Sequence, residues 1–216
     1  WCIAMTEAQR AAIYADPHWA GGEYGDDLRP EQGLAAARMM AICSYRSWDS
    51  FESRFGRELR STDEFQVQSY LRHQGRKIND RFDANAYVRL TQAMNDHDVS
   101  RGRGQYADVL RSITQPALVV SVSSDVLYPP AEQALLAEHM PNAGYEILET
   151  EHGHDGFLIQ TQELAATIRE DRARRHGGLQ GAGHRHGCGA LGGRRRGSPR
   201  SNGRRVSLHR PARPHR

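Results

Sequence analysis

Through the first half of the chain apolar residues recur at steps of three and four, the period of one helical face. The stretch TEAQRAAIYADPHW reads as a helix with Thr6 as its N-cap. It ends before Pro17, whose ring disfavours helical geometry in the residue ahead of it. After the glycine-rich turn WAGGEYGDD, the segment PEQGLAAARMMAICSYRSWDSFESRFG aligns Leu34, Ala37, Ala41, Tyr45 and Trp48 and predicts an amphipathic helix. FQVQSYLRHQGRKINDRF and DANAYVRLTQAMNDHDV predict two more helical segments, with Asp83 placed to cap the second. Residues 6–113 are therefore expected to be mostly helical.

At Pro116 the pattern changes. ALVVSV is a short continuous apolar run, the mark of a strand buried on both faces, and it gives way to the polar loop SSDVLYPP. A helix follows, with Pro129 and Pro130 suited to its first turn, and AEQALLAEHM carries it to the turn PNAG. YEILET predicts a second strand, EHGHDG its loop and FLIQTQELAATIRED a closing helix. Strand, loop and helix twice over define an α/β layer with a parallel sheet. Asp125 and His154 then both fall just past the carboxyl ends of strands, where open parallel sheets place their chemistry.

Composition divides the chain. From Gly177 to Arg216 there are ten arginines, ten glycines and no acidic residue, which leaves 19 basic against 26 acidic residues, a net of −7, over residues 1–176. The first part is an ordinary acidic body. Residues 176–216 form a basic low-complexity tail with too few large apolar side chains to offset the entropy of ordering, so disorder is expected there. With one lysine (Lys77) in the whole chain, an out-of-frame reading of GC-rich coding sequence explains the tail better than a nucleic-acid-binding arm. No apolar run reaches a membrane span and no signal peptide is present, so a cytoplasmic protein is expected, with neither membrane nor nucleic acid as partner. Cys2, Cys43 and Cys188 form no CxxC pair. His176, His184, His186 and Cys188 lack a scaffold, so no metal site is expected. The chain opens on Trp1 rather than methionine and is expected to be cut from something longer.

A histidine in the loop ETEHGHDG has three readings: metal ligand, general base or helix cap. Asp125 and His154, 29 residues apart on successive strand loops, match the second half of a triad whose chain order is Ser, Asp, His. In such a triad the aspartate fixes the imidazole tautomer and the histidine takes the nucleophile's proton.

The segments GLAAARMMAICSYRS, SFESRFGR, FQVQSYLRHQGRKINDRFDANAYVRLTQAMNDHDVSRGRG, SSDVLYPPAEQ and GHDGFLI resemble, in this order, the homoserine O-acetyltransferase family. The resemblance covers about residues 1–170 and leaves the basic tail without a counterpart. It implies the C-terminal part of an α/β-hydrolase fold. Residues 1–113 would be a mostly helical segment that includes the lid, and 114–175 the last strands and helices of the core. It further implies that Asp125 is the orienting acid and His154 the general base, with His152 a loop residue. Arg38 would pair with the substrate carboxylate, Asp155 with the substrate amino group, and Tyr45 would be the active-site tyrosine two turns along from Arg38. The implied reaction belongs to methionine biosynthesis. It passes acetyl from acetyl-CoA to the hydroxyl of L-homoserine by a ping-pong mechanism, with no metal or resident cofactor and with a homodimer as the intact protein. A serine or homoserine O-succinyltransferase or an esterase of the same fold is the alternative, as is a non-catalytic truncated product with a basic tail.

No GxSxG occurs in the chain, and no serine has the small flanking residues that a strand-to-helix elbow requires. Ser123 and Ser124 sit on the acid's own loop and are poor substitutes. The family's nucleophile is expected upstream of Trp1, and the chain as given is expected to be inactive alone.

Overall fold

The computed structural model of the chain describes residues 1–181, with side chains to residue 175. Helix α1 spans Cys2–Tyr14. It begins four residues ahead of the predicted cap, so Thr6 lies inside it. The Thr6 hydroxyl donates to Cys2 O at 3.0 Å, a bond back into the preceding turn rather than a cap.

Helix α2 covers Glu31–Tyr45 and α3 covers Trp48–Phe55, where the sequence predicted one helix. The break has a local cause. Ser47 is extended (φ −78°, ψ 167°) and its hydroxyl accepts from Ser50 N, which starts a new helix. Leu34, Ala37 and Ala41 are buried as their spacing predicts, whereas Trp48, past the break, is 74% exposed. A short hairpin of β1 (Leu59–Ser61) and β2 (Glu64–Phe65), unforeseen because β1 has no buried face, leads into α4 (Gln66–Asn79). Helix α5 (Ala84–Asp96) is capped by Asp83, whose carboxylate accepts from Ala86 N at 3.0 Å. Helix α6 (Tyr106–Arg111) completes the helical part. Ile13, Leu34, Ala37, Ile78, Ala84 and Val88, from α1, α2, α4 and α5, form one buried cluster.

Strand β3 (Ala117–Val122) pairs in parallel with β4 (Ala143–Leu148), in register from Ala117 opposite Ala143 to Val122 opposite Leu148. Between them runs α7 (Pro130–His139), with Pro129 at its N-cap and Pro130 in its first turn. The burial predicted for both faces of β3 holds only at Ser121 and Val122. Ala117–Val120 are half-buried, since among the described residues β4 is the only neighbouring strand. After β4 come a 3-10 turn (Gly153–Asp155), the four-residue α8 (Gly156–Ile159) and α9 (Thr161–Gly181). The predicted closing helix is thus divided at Gln160, and α9 continues past His176 into the block expected to be disordered. Arg175 ties α9 to the sheet, donating to Ala117 O at 2.7 Å and Asn142 O at 3.1 Å. The rest of the basic tail, with His184, His186 and Cys188, lies outside the described residues.

Candidate active site

The end of β3 turns sharply through Asp125. One carboxylate oxygen, Oδ1, accepts from Leu127 N at 2.7 Å and Tyr128 N at 3.0 Å, which folds the loop around the side chain. The other, Oδ2, lies 2.8 Å from His154 Nδ1. The Asp125 side chain is 4% exposed and that of His154 25%, so the acid is enclosed and the base reaches a surface. Burial pushes the Asp125 carboxyl up. Hydrogen bonds from His154 and from the Tyr128 and Leu127 amides outweigh that and hold it below the usual carboxylate range.

His154 is carried by the 3-10 turn after β4, and the glycines around it are sterically required. Gly153 has φ +67°, and a Cβ there would lie 2.6 Å from Ser47 N and 2.7 Å from Arg46 C. A Cβ on Gly156 would meet the Thr150 side chain at 2.5 Å. The imidazole sits among three aromatic rings, with centroids 5.7 Å away for Tyr45, 5.3 Å for Tyr128 and 5.5 Å for Phe157. The pair opens on a groove of about 510 Å³ lined in part by Val122, Tyr128, Leu136 and Phe157. Tyr45 and Tyr128 also wall an apolar cavity of about 170 Å³ on the side of α1 and α5.

The five residues named from the sequence converge here. Arg38 Cζ stands 5.6 Å from the centroid of the Tyr45 ring, which in turn faces His154. Asp155, next to the base, lies with Oδ2 3.2 Å from Arg46 Nε. The His152 amide donates to Thr150 Oγ1 at 3.2 Å, and its buried Nδ1 has no partner among the described residues. Both serines near the acid are occupied in loop bonds, Ser123 Oγ accepting from Thr150 N at 3.0 Å and Ser124 Oγ from Gly153 N at 2.9 Å. Among the described residues no group of three or more His, Cys, Asp or Glu side chains is arranged to hold a metal ion, and no helix is long and apolar enough to cross a membrane. Sequence reasoning overlooked Arg46, Tyr128 and Phe157. All three lie within quoted motifs, yet nothing in one sequence says that the two rings face the imidazole or that Arg46 meets Asp155.

A parallel strand pair with an acid past one strand and a histidine past the next defines an α/β-hydrolase-fold protein, and solved structures agree. Homoserine O-acetyltransferase from Bacillus anthracis superposes with a TM-score of 0.72 at 18% identity, covering 78% of this chain and 48% of that one. Esterase E22 superposes with a TM-score of 0.70 at 22% identity, covering 79% of this chain and 50% of that one. No family model matches the sequence. Homoserine O-acetyltransferase from Chlorobium chlorochromatii (strain CaD3) is 54% identical over 173 residues, 79% of this chain and 48% of the relative. Within the α/β-hydrolase class the matched region is homologous to curated homoserine O-acetyltransferases, and the chain spans about half the length of the relatives it matches.

Proposed function

We infer that this chain supplies the base, the orienting acid and the acceptor-binding side chains of a homoserine O-acetyltransferase, with the nucleophilic serine lying outside these 216 residues. The observation that carries this reading is the 2.8 Å contact between His154 Nδ1 and Asp125 Oδ2. It fixes the tautomer and leaves Nε2 to take a proton. In the first half-reaction Nε2 removes the serine proton as the hydroxyl attacks the thioester carbonyl of acetyl-CoA. The tetrahedral intermediate expels the CoA thiolate, which leaves with that proton, and acyl-serine remains. In the second, Nε2 takes the γ-hydroxyl proton of L-homoserine as that oxygen attacks the acyl ester. Collapse forms O-acetylhomoserine and the proton returns to serine. Arg38 holds the acceptor carboxylate and Asp155 its ammonium, while Tyr45 closes the site against the imidazole. Metal ions and resident cofactors have no part in this scheme.

The test is a hybrid in which this whole chain replaces the half of the Chlorobium relative that it matches. With acetyl-CoA and homoserine the hybrid is expected to release CoA and form O-acetylhomoserine. His154→Ala is expected to lower the rate roughly a thousandfold or more, whereas His152→Ala changes it less than about threefold. Acetate as the main product would make the protein an esterase instead. The chain alone is expected to release no CoA above background. Turnover by the chain alone that Ser124→Ala abolishes would show the nucleophile to be internal.

A further inference from the structure

Asp155 already has a cationic neighbour. Arg46 Nε lies 3.2 Å from Asp155 Oδ2, with the two side chains 21% and 23% exposed. The arginine is held at a joint. It ends α2 in an extended conformation (φ −115°, ψ 149°), and Ser47 beside it starts α3. The loop that carries His154 and Asp155 is pressed on to the same joint. Ser47 Oγ donates to Glu151 O, and Gly153 approaches the Arg46 and Ser47 backbone too closely for any Cβ. Two backbones in such contact fix where the guanidinium stands relative to the carboxylate.

We propose that Arg46 is a positioning residue that sets selectivity for an acceptor bearing an amino group: it holds Asp155 by Oδ2 and thereby presents Oδ1 to the acceptor's ammonium. This rests on the acceptor reading given above. A bound zwitterion would then complete an alternating row, from the Arg46 guanidinium through the Asp155 carboxylate, the ammonium and the acceptor carboxylate to Arg38. Each charge would be flanked by its opposite. Half-buried at the joint, the guanidinium has its effect in orienting the carboxylate, which shows in selectivity.

The experiment compares homoserine with 4-hydroxybutyrate, which keeps the reacting hydroxyl and the carboxylate but lacks the amino group. In the hybrid enzyme Arg46→Gln is expected to raise KM for homoserine roughly tenfold and to leave 4-hydroxybutyrate and the acyl-enzyme burst unchanged. Arg46→Lys, which keeps the charge without the fork, is expected to recover part of the preference. Ser47→Ala loosens the same joint without removing a charge and is expected to affect both acceptors equally. If Asp155→Asn abolishes the preference and Arg46→Gln does not, the positioning role is wrong while the amine assignment stands. If Asp155→Asn keeps the preference, the amine assignment falls and this proposal with it. If Ser47→Ala reproduces the Arg46→Gln pattern, loop placement and not the guanidinium sets selectivity, and the proposal is overturned. NMR titration of the full chain with both acceptors reads the same ratio as binding, without dependence on turnover.

Discussion

Asp125 divides its two oxygens between two tasks, the loop amides at Oδ1 and the imidazole at Oδ2. Burial favours its neutral form, but the hydrogen bonds from His154 and the Tyr128 and Leu127 amides prevail, and its carboxyl is held below the usual range. The folded protein therefore binds this proton less readily than the unfolded chain. The resulting stabilisation is complete above the unfolded value of about 4 and is lost as pH falls through the lower folded value. Denaturant unfolding at pH 5 and pH 3 is expected to show a smaller acid loss for Asp125→Asn than for the unaltered chain, because asparagine has no carboxyl to protonate. Equal losses would mean that this aspartate contributes nothing to acid sensitivity. Asp125 and His154 were legible as a juxtaposition because each follows an apolar run that ends in a loop. Arg46 was not: an arginine at a helix end has no pattern that separates it from solvated charge. Only the docking of Gly153 on the helix joint brings it to Asp155.

Between elements, contact distance decides how α2 can lie on α1. A Cβ added to Gly33 would stand 2.7 Å from Ala12 O and 2.8 Å from Ile13 Cα, both backbone atoms that cannot turn aside. Asp16 reinforces the contact, its Oδ2 accepting from Gly33 N at 2.7 Å in the first turn of α2, where Pro30 supplies no side-chain cap. Gly33→Ala gains about 1 kcal/mol in helix propensity but faces an overpacking cost of about 1–3 kcal/mol and a stretched hydrogen bond. A lower urea midpoint is expected. Gly25→Ala, with nothing within 4 Å of the added carbon, is expected to leave the midpoint unchanged or higher. An unchanged midpoint for Gly33→Ala would show that α1 and α2 slide apart freely. Helix existence was readable from the period of Leu34, Ala37 and Ala41, and β3 from the run ALVVSV. Boundaries were less readable, since Ser47 and Gln160 interrupt helices within segments whose apolar period runs on.

Across the whole molecule, burial is distributed unevenly. The main buried cluster draws on residues from Ile13 to Val88, all within the helical part. Around the parallel strands, Val126 is 48% exposed, Ile147 48% and Leu158 62%. The division of charge between acidic body and basic tail was plain from composition, whereas this imbalance in packing was not. An apolar run such as ALVVSV carries the signature of a buried strand whether or not its other neighbours are present. A two-stranded sheet with little apolar surface covered is marginal in water, while a four-helix cluster with a closed core resists opening. Hydrogen exchange on the full chain is therefore expected to rank the elements. The amides of α1, α2, α4 and α5 should exchange most slowly, and those of β3 and β4 orders of magnitude sooner, because the strands open without disturbing the helices. Ile78→Ala, which creates a cavity at a core position, is expected to accelerate exchange across all four helices together, given a cost of about 2–5 kcal/mol for such a truncation. Strand amides as slow as those of α2 would show instead that the helices and the strand pair unfold as one cooperative unit.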